Sequence, residues 1–431
     1  MVQIVPFAVE QWMDEYETTA TYNIAETCCA PLSLDDLCAL APEAPQTPFS
    51  TATKLTYGAI RGSNELRSNL ARLLYTAPPG DDESSSSSSR ASLPPENILI
   101  TPGAINANFL LLYTLIQPGD HVICHYPTYQ QLYSVPSSLG AEVSLWKTRS
   151  DDGWRLCLDE LKALIRPNTK MIIIKLVLLG LPPLVFLANP TGALIAADIL
   201  AGIVDIARQH SLLLHSDEVY RPLFHGLADR HEWPPSVLSF GYDKAIATGS
   251  MSKVYSLAGI RVGWIASAST ALVERCASAR DYTTISVSQV DDGIAAFALD
   301  PCRVERLVQR NLGLARTNLA ILKEFVDEHR GTCDWVEPRA GTTAFVRFSR
   351  PLDDDDDDDG RRRRSAVDDV ALCTMLQREK GVMFVPGSRC FGDEFRGYVR
   401  IGYVQETAVL QAGLRELRAF MTERFGSVPV V

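Results

Sequence analysis

The stretch AADILAGIVDIARQHSLLLHSDEVY, residues 196–220, decides the fold because it joins a helix pattern directly to a strand pattern. Its first part repeats apolar residues at helical spacing, and its second part is a short apolar run that ends at the polar residues SDEVY. A helix that leads into a buried strand is half of a βαβ unit. The stretch therefore predicts a parallel sheet covered by helices.

The same alternation extends in both directions along the chain. The other strand patterns are ENILITPG (96–103), DHVICHYP (120–127), KMIIIKL (170–176) and KAIATGSMS (244–252). Helix patterns lie between them in AINANFLLLYTLIQPG (104–119) and LDELKALIRP (158–167). The fold class is therefore α/β: we predict a three-layer αβα domain with a mostly parallel sheet, in which ligands bind at the carboxyl ends of the strands.

The two ends of the chain depart from this alternation. Residues 1–45 start with the helix-like VEQWMDEYE and continue into proline-punctuated sequence, which predicts an N-terminal arm. Residues 46–304 hold the alternating pattern and form the predicted large domain. A long helical passage, residues 290–329, leads into CDWVEPRAGTTAFVRF (333–348) and further helices, and we predict a smaller α+β domain at residues 305–431.

Composition excludes several classes of protein. With 431 residues and 46% hydrophobic content the chain can bury a large core, and its net charge of −11 argues against nucleic-acid binding. The ten cysteines form no C-x-x-C pair, and the N-terminus lacks a signal-peptide pattern, so we expect a cytoplasmic protein. His121 and His125 have a metal-like spacing but lie in a strand pattern, and we expect no metal site.

Three inserts interrupt the pattern. PPGDDESSSSSSRASLPP (78–95) and DDDDDDDGRRRRS (353–365) are low-complexity segments and are predicted to be solvated loops. KLVLLGLPPLVFLA (175–188) is apolar, but Lys175 and the Pro182–Pro183 pair argue against a membrane span. We therefore expect no membrane partner.

Lys253, in ATGSMSKVYSLAGIRVGW (247–264), is the main candidate for a reactive side chain. A lysine held near a carbonyl becomes a Schiff-base nucleophile, although a surface charge is the common alternative. At the end of an earlier strand pattern, Asp217 could keep a pyridine nitrogen protonated; otherwise it caps a helix. Together these two residues suggest a cofactor with a pyridine ring.

A phosphate could be held at the strand-to-helix turn TPGAINANF. The helix start at Gly103, Ala104 and Ile105 offers unpaired N–H groups, and an arginine and two serines could close around the same anion. These three residues are Ser250, Ser252 and Arg261. Tyr129, in HYPTY, could lie on a flat cofactor ring, with a place in the core as its alternative.

Four motifs together resemble the class I/II aminotransferases, which are fold-type I pyridoxal-phosphate enzymes. These are SMSK with Arg261 beyond it, NPTG (189–192), SDEVY (216–220) and YVRIGY (398–403), and the resemblance extends over residues 20–420. It implies pyridoxal 5′-phosphate as cofactor, an α-amino acid and a 2-oxo acid as small-molecule substrates, and a homodimer with shared active sites.

The resemblance also implies a role for each matching residue. Lys253 would form the Schiff base and move the proton, Asp217 would hold the pyridine nitrogen, and Arg400 would grip the substrate carboxylate. Asn189 and Tyr220 would bond the 3′-oxygen of the cofactor, with Asn189 also near the substrate, and Tyr129 would stack on its ring. The phosphate would be held by Gly103, Ala104, Ile105, Ser250, Ser252, Arg261 and, from the neighbouring subunit, Tyr57.

Two departures from the family pattern leave alternatives open. The apolar insert 175–188 comes directly before NPTG, where the family has a few residues, so it is either a genuine insert or retained non-coding sequence. NIAETCCAPLSLDDL (23–37) and GAINANFLLL (103–112) are more similar to aminocyclopropane-carboxylate synthases. A lyase or cyclase of that type, or of the capreomycidine synthase type, is therefore the alternative function. Glu26 would lie near its substrate; otherwise it is a surface residue that flanks a helix.

Two further classes are weaker matches. SMSK also fits the S-x-x-K motif of penicillin-binding proteins and β-lactamases, but the chain has no K-T-G-type strand and no S-D-N-like element. A catalytically inactive binding domain is disfavoured because Lys253, Asp217 and Arg400 are all present. The expected function is therefore amino transfer.

Overall fold

The computed structural model describes residues 4–50, 52–74, 93–175, 178–179, 189–191, 195–227, 233–356 and 362–431. The helices in this part of the chain are α1 (Ala8–Tyr16), α2 (Leu34–Ala39), α3 (Asn64–Leu74), α4 (Gly103–Leu115), α5 (Gln131–Ser138), α6 (Leu158–Leu164), α7 (Ala197–Gln209), α8 (Thr270–Arg280), α9 (Gln289–Ala298), α10 (Pro301–Glu328), α11 (Asp369–Lys380), α12 (Gly387–Phe391) and α13 (Thr407–Glu423). None of these helices is long and apolar enough to cross a membrane.

The strands of the same residues are β1 (Tyr22–Asn23), β2 (Ile98–Thr101), β3 (His121–Tyr126), β4 (Glu142–Lys147), β5 (Thr169–Lys175), β6 (Leu178–Leu179), β7 (Ile195–Ala196), β8 (Leu213–Asp217), β9 (Ala245–Ser250), β10 (Gly263–Ser267), β11 (Cys333–Trp335), β12 (Thr343–Asp356), β13 (Arg362–Ala366), β14 (Val382–Met383), β15 (Val385–Pro386) and β16 (Tyr398–Gly402).

A seven-stranded sheet forms the centre of the molecule, with strand order β2-β10-β9-β8-β5-β3-β4. All of its strands run in one direction except β10, which is antiparallel to both neighbours. The predicted βαβ pattern is confirmed for β2, β3, β5, β8 and β9. The strands β4 and β10 were not among the predicted strands, because neither is a continuous apolar run.

Helices cover both faces of this sheet, so the three-layer architecture is confirmed. Alternate residues of one strand belong to two separate hydrophobic clusters: Ile172 and Ile174 pack on one side of β5, and Met171 and Ile173 on the other. The second cluster includes residues of α4, α5 and α8, whereas the first contains α7 and α3. Burial on both faces explains why these strands read as unbroken apolar runs.

A second sheet, β11-β12-β16-β15 with β13 on β12, forms the separate C-terminal unit with α11 and α13. The N-terminal arm packs onto it. Strand β1 pairs in parallel with β14, and Trp12 on α1 donates its indole N–H to the carbonyl of Phe384 (2.6 Å). The arm is therefore held by the C-terminal unit. No structural feature tests the exact domain bounds at 45 and 304, which stay predictions.

The helical passage is confirmed but divided, and the loop prediction for 353–365 is wrong in part. The helical passage 290–329 is divided into α9 and α10, because Pro301 starts a new helix and Asp300 caps it by accepting from the N–H of Cys302 (2.9 Å). The acidic and basic run at 353–365 is also not all loop. The backbone of β12 extends to Asp356, whose register partner is Arg362 of the antiparallel strand β13.

The other two inserts lie largely outside the described residues. Residues 78–92 of the serine-rich insert are outside them, while Leu93 is buried and residues 95–97 form a short 3-10 turn. Of the apolar insert, only Lys175 and the pair Leu178–Leu179 in β6 are described, and β6 pairs in parallel with β7. The choice between a genuine insert and retained non-coding sequence stays open.

Candidate active site

A cavity of about 300 Å³ opens at the carboxyl ends of β5, β8 and β9. The last residues of these strands, Lys175, Asp217 and Ser250, all line it. Its remaining walls come from the start of α4, the N-terminal arm and β16. The cavity thus lies where a parallel α/β sheet binds its ligands, as the sequence predicted.

Lys253 reaches the cavity from the turn that follows β9. Its Nζ donates to Oγ1 of Thr27 and lies 3.5 Å from Sγ of Cys28, so the amine faces the N-terminal arm. The backbone carbonyl of Lys253 accepts from the N–H of Cys29 (3.1 Å). Lys253 thus donates to the arm through its side chain and accepts from the arm through its backbone carbonyl, and both contacts fix the lysine relative to the arm.

The charges around the amine act against each other. Burial lowers the pKa of Lys253, but the neighbouring Cys28, Tyr220 and Glu26 outweigh it and raise the pKa above 10.5, while Arg400 again lowers it. The lowered pKa expected of a nucleophilic lysine is therefore not produced by these residues alone. Arg400 is the neighbouring cation that acts in the expected direction.

Asp217 ends β8 with 1% of its surface exposed. Its carboxylate accepts from Nδ2 of Asn108 (3.4 Å) and the N–H of Val219 (3.3 Å), and Nζ of Lys175 lies 3.4 Å away. Behind it, Asn108 accepts from the Thr248 hydroxyl, which His215 also contacts (2.7 and 3.0 Å). A buried carboxylate is thus fixed by a hydrogen-bond network that starts in the sheet.

The start of α4 and the Arg261 side chain lie together and form a candidate anion cradle. Gly103 has a φ of +79°, and the first N–H groups of a helix have no partner within it. Nη1 of Arg261 donates to the carbonyl of Ala258 (2.9 Å) and lies 3.5 Å from Oγ of Ser252. Ala104, Ile105, Ser250, Ser252 and Arg261 line the cavity, so the predicted phosphate residues are brought together, with Gly103 against Arg261.

Arg400, on β16, is 3% exposed and lines the opposite wall. Its Nη2 donates to the carbonyl of Ala25 (2.9 Å) and its Nη1 lies 3.5 Å from Oδ1 of Asn189, while the buried Nε has no partner. Among the described residues no carboxylate forms an ion pair with this guanidinium. Its free donor and uncompensated charge suit an added carboxylate.

Two tyrosines complete the wall near Asp217. Tyr129 packs its ring against that of Phe7 (4.8 Å between centroids) and donates its hydroxyl to Glu10 (3.0 Å). Burial, with Glu10 in second place, raises the pKa of Tyr129 well above its usual range. Tyr220 is 1% exposed and also lines the cavity. Both predicted tyrosines are therefore in the site.

Glu26 enters the cavity from the arm. Its Oε1 accepts from the N–H groups of Thr27 (2.6 Å) and Cys28 (3.0 Å). Burial raises the pKa of this carboxyl, but Lys253 and the two N–H groups reverse the shift and hold the pKa below 4.5. Tyr57 is the exception among the predicted residues: it is 73% exposed and does not line the cavity of its own chain.

Sequence reasoning missed several residues of the cavity. Lys175, Asn108, Thr27 and Cys28 contact the predicted residues, and Glu10 and Glu17 reach the cavity on and just after α1. Asn108 could have been found, because it lies one helical turn beyond Ala104 in an otherwise apolar helix. The arm residues could not, since their contacts join positions more than 100 residues apart, as between Thr27 and Lys253 or Glu10 and Tyr129.

The chain is similar to known proteins over nearly its whole length. Residues 35–416 match the model of the family aminotransferase class I and II. Capreomycidine synthase from Streptomyces vinaceus is 27% identical over 99% of this chain and 95% of that protein. An aspartate aminotransferase from Thermotoga maritima is 24% identical over 87% of this chain and 86% of that protein.

Solved structures give the same result. A PLP-dependent aminotransferase from Streptococcus suis is 37% identical, with a TM-score of 0.80 over 97% of this chain and 98% of that one. The PLP-dependent cyclase OrfR shares the fold with a TM-score of 0.77 over 98% of each chain, at 22% identity.

The donor set of the cavity fits pyridoxal 5′-phosphate. This cofactor has a phosphate, a basic ring nitrogen and an aldehyde, and the cavity offers a cradle of N–H and guanidinium donors, a buried carboxylate and a primary amine. The unpartnered Nε of Arg400 leaves a further cationic donor for a carboxylate. The chain belongs to the class I and II aminotransferase family and is an enzyme with pyridoxal 5′-phosphate as its cofactor.

Proposed function

We propose that the protein transfers an amino group between an α-amino acid and a 2-oxo acid. The observation that carries this proposal is that the Lys253 amine and the unpaired Arg400 guanidinium face one cavity, with the Arg261 cradle in its wall. An α-amino acid substrate requires two groups: an amine that bonds the cofactor and a planar guanidinium that binds the carboxylate.

The cofactor would be held through three groups of contacts. Asp217 binds the ring nitrogen, and Tyr129 lies against the ring. Asn189 and Tyr220 donate to the 3′-oxygen. The phosphate takes the donors of the cradle, which are Gly103, Ala104, Ile105, Ser250, Ser252 and Arg261.

When bound, the cofactor supplies an electron sink for the carbanion at the substrate Cα. The chain's own residues do the rest. The Lys253 amine would hold the cofactor through its aldehyde, and it would carry the proton to and from the substrate Cα as a general base and acid. Arg400 would bind the substrate carboxylate and so position the substrate, with Oδ1 of Asn189 lying 3.5 Å from its Nη1.

The proposal includes a homodimer in which Tyr57 reaches the cradle of the neighbouring subunit. Its 73% exposure supports this, because a tyrosine ring that is so exposed contributes nothing to its own core. Other large apolar side chains are exposed as well, and they include Leu55, Ile60, Ile105, Phe109, Tyr113 and Tyr282.

We also keep the cytoplasmic location as part of the proposal. All ten cysteines lie in the described residues and none forms a disulfide, which is the pattern of a reducing compartment.

A lyase or cyclase is the second candidate, and one specific observation favours it. Glu26 holds its carboxylate in the same cavity as Lys253, with a lowered pKa, so a second base is available to the substrate beside the lysine. Capreomycidine synthase as a 27% identical relative supports the same candidate.

A single experiment separates the candidates. The protein with its cofactor is incubated with amino acids one at a time, and the visible spectrum and the products are followed by absorbance and mass spectrometry. Amino transfer predicts conversion of the cofactor to its amine form and, with a 2-oxo acid present, an exchanged pair of products. A product that keeps its nitrogen while water or another group is lost would favour the lyase or cyclase. Lys253→Ala is expected to bind the cofactor without a reducible bond.

A further inference from the structure

Lys175 is a buried cation for which the proposed reaction has no use. It ends β5 with 3% of its surface exposed, and its Nζ lies 3.4 Å from Oδ2 of Asp217. The same Nζ is 5.0 Å from the ring centroid of Tyr129 and 5.2 Å from that of Tyr220. The ammonium group is therefore enclosed by three residues that we assign to the cofactor.

Both side chains of this ion pair are withdrawn from water, with 3% and 2% of their surface exposed. The other groups on the Asp217 carboxylate, Nδ2 of Asn108 and the N–H of Val219, are neutral. Within the part of the chain that the structure describes, Lys175 is the one cation paired with Asp217. Removing it leaves a buried carboxylate without a counter-ion, which is costly.

A protonated ring nitrogen needs the same carboxylate. We propose that Lys175 and the ring nitrogen of pyridoxal 5′-phosphate compete for Asp217, so that Lys175 acts as an internal counter-ion that weakens cofactor binding. This inference rests on the proposed function of the cavity, in which Asp217 binds the ring nitrogen. Two cations then share one carboxylate, and cofactor binding includes the cost of displacing or sharing the lysine.

The test is a titration of the cofactor-free protein with pyridoxal 5′-phosphate, with affinity as the readout. Lys175→Met and Lys175→Gln are expected to bind the cofactor about tenfold more tightly than the wild type, which corresponds to about 1.4 kcal/mol. Lys175→Arg keeps the charge and is expected to stay near the wild type. Lys170→Met, an exposed position on the same strand, is the matched control and is expected to change nothing.

An analogue isolates the ring nitrogen. A pyridoxal phosphate with a C–H group in place of this nitrogen keeps the phosphate and the aldehyde, so Lys175→Met should gain no affinity for it. Unchanged or weaker binding of the normal cofactor by both neutral variants would overturn the inference. A gain of the same size with the analogue would also overturn it, because the effect would then not pass through the nitrogen.

Stability gives an independent readout. Without cofactor, Lys175→Met should melt at a lower temperature than the wild type, and the cofactor should raise its melting temperature by more. If the single Lys175 variants do not fold, Asp217→Asn can be compared with the double variant Asp217→Asn/Lys175→Met, which removes both charges. These two variants are expected to bind the cofactor with equal affinity. A tenfold gain in the double variant would sink the idea. Failure of the wild type to bind the cofactor would instead refute the proposed function.

Discussion

Gly103 and Arg261 are in direct contact: a β-carbon at position 103 would lie 2.7 Å from Nη2 of Arg261. The backbone of Gly103 is also left-handed, with a φ of +79°. The start of α4 and the guanidinium therefore approach as closely as a residue without a side chain allows. This approach joins the two halves of the proposed phosphate cradle.

Gly103→Ala is expected to weaken cofactor binding about tenfold, because the methyl group pushes Arg261 away and removes about one charge-assisted contact. Gly119→Ala is the matched control. Its φ of +83° imposes the same backbone strain, but nothing lies within 4 Å of the added carbon. Both variants should lose about 1–2 kcal/mol of stability in chemical unfolding. An equal change of cofactor affinity in both would remove Gly103 from the cradle.

Arg400→Lys tests the grip on the substrate carboxylate. A lysine keeps the charge but has no planar fork, so kcat/KM for the best amino acid should fall about 100-fold. For the corresponding amine without the carboxylate, the wild type and the variant should differ little. Arg396→Lys, exposed on the preceding turn, should behave as the wild type with both compounds. A loss of the same size with the amine would mean that Arg400 acts on the arm through Ala25 instead.

Four histidines are buried, and the three with the largest fall in pKa predict acid sensitivity; the pKa of the fourth, His121, is also lowered by burial. Burial lowers the pKa of His125 and His225 to about 3 and that of His215 to about 4, and the Lys175 charge adds to the effect at His125. Unfolding exposes them to protonation near pH 6.5, so the unfolded chain binds more protons and stability falls as the pH decreases from about 6.5 towards 4. Between pH 6 and 5 these three histidines should contribute at most about 4 kcal/mol per pH unit to the slope.

Urea unfolding at several pH values measures this slope. His125→Phe should reduce the contribution of the three histidines to this slope by about one third, because it removes one of three titrating rings. Both ring nitrogens of His125 are buried without a hydrogen-bond partner. His210→Gln, at an exposed histidine, should leave the slope unchanged. A flat stability profile in the wild type over this range would contradict the burial of the three rings.

The sequence predicted those site residues that lie at the ends of recognisable strands. Asp217 and Ser250 end such strands and Lys253 follows one, and their position at the carboxyl edge of the sheet follows from the parallel topology. The start of α4 was likewise predictable from a strand, a turn and a helix in succession. The family motifs then added Asn189 and Arg400.

Contacts between distant segments were not predictable. Nothing local indicates that the arm returns to Lys253 through Thr27 and Cys28, because that contact depends on the pairing of β1 with β14. In the sequence, Lys175 argues only against a membrane span, since its partner becomes apparent only when β5 and β8 lie side by side. The pairing of β12 with β13 was not predicted because charged runs are usually solvated.

The proposed sharing of active sites between two subunits can be tested by mixing two defective variants. Tyr57→Ala should be defective because Tyr57 is proposed to serve the cradle of the neighbouring subunit, and Lys253→Ala should be inactive because the lysine serves its own cavity. In a mixed dimer both defects fall in one site and the other site is intact. If the two variants exchange subunits freely, half of the dimers are mixed, and activity should recover to about one quarter of the wild type.

The recovery should appear only after subunit exchange, for example after mild denaturation and refolding of the mixture. The control is a mixture of Lys253→Ala with Asp217→Asn. Both of these residues line the same cavity, so each subunit keeps one defect in its own site and no intact site can form. Recovery with Tyr57→Ala but not with Asp217→Asn would place Tyr57 in the neighbour's site. No recovery in either mixture would contradict the proposed role of Tyr57, whose ring is 73% exposed. If Tyr57 served the neighbouring site, every mixed dimer would contain one site without a defect.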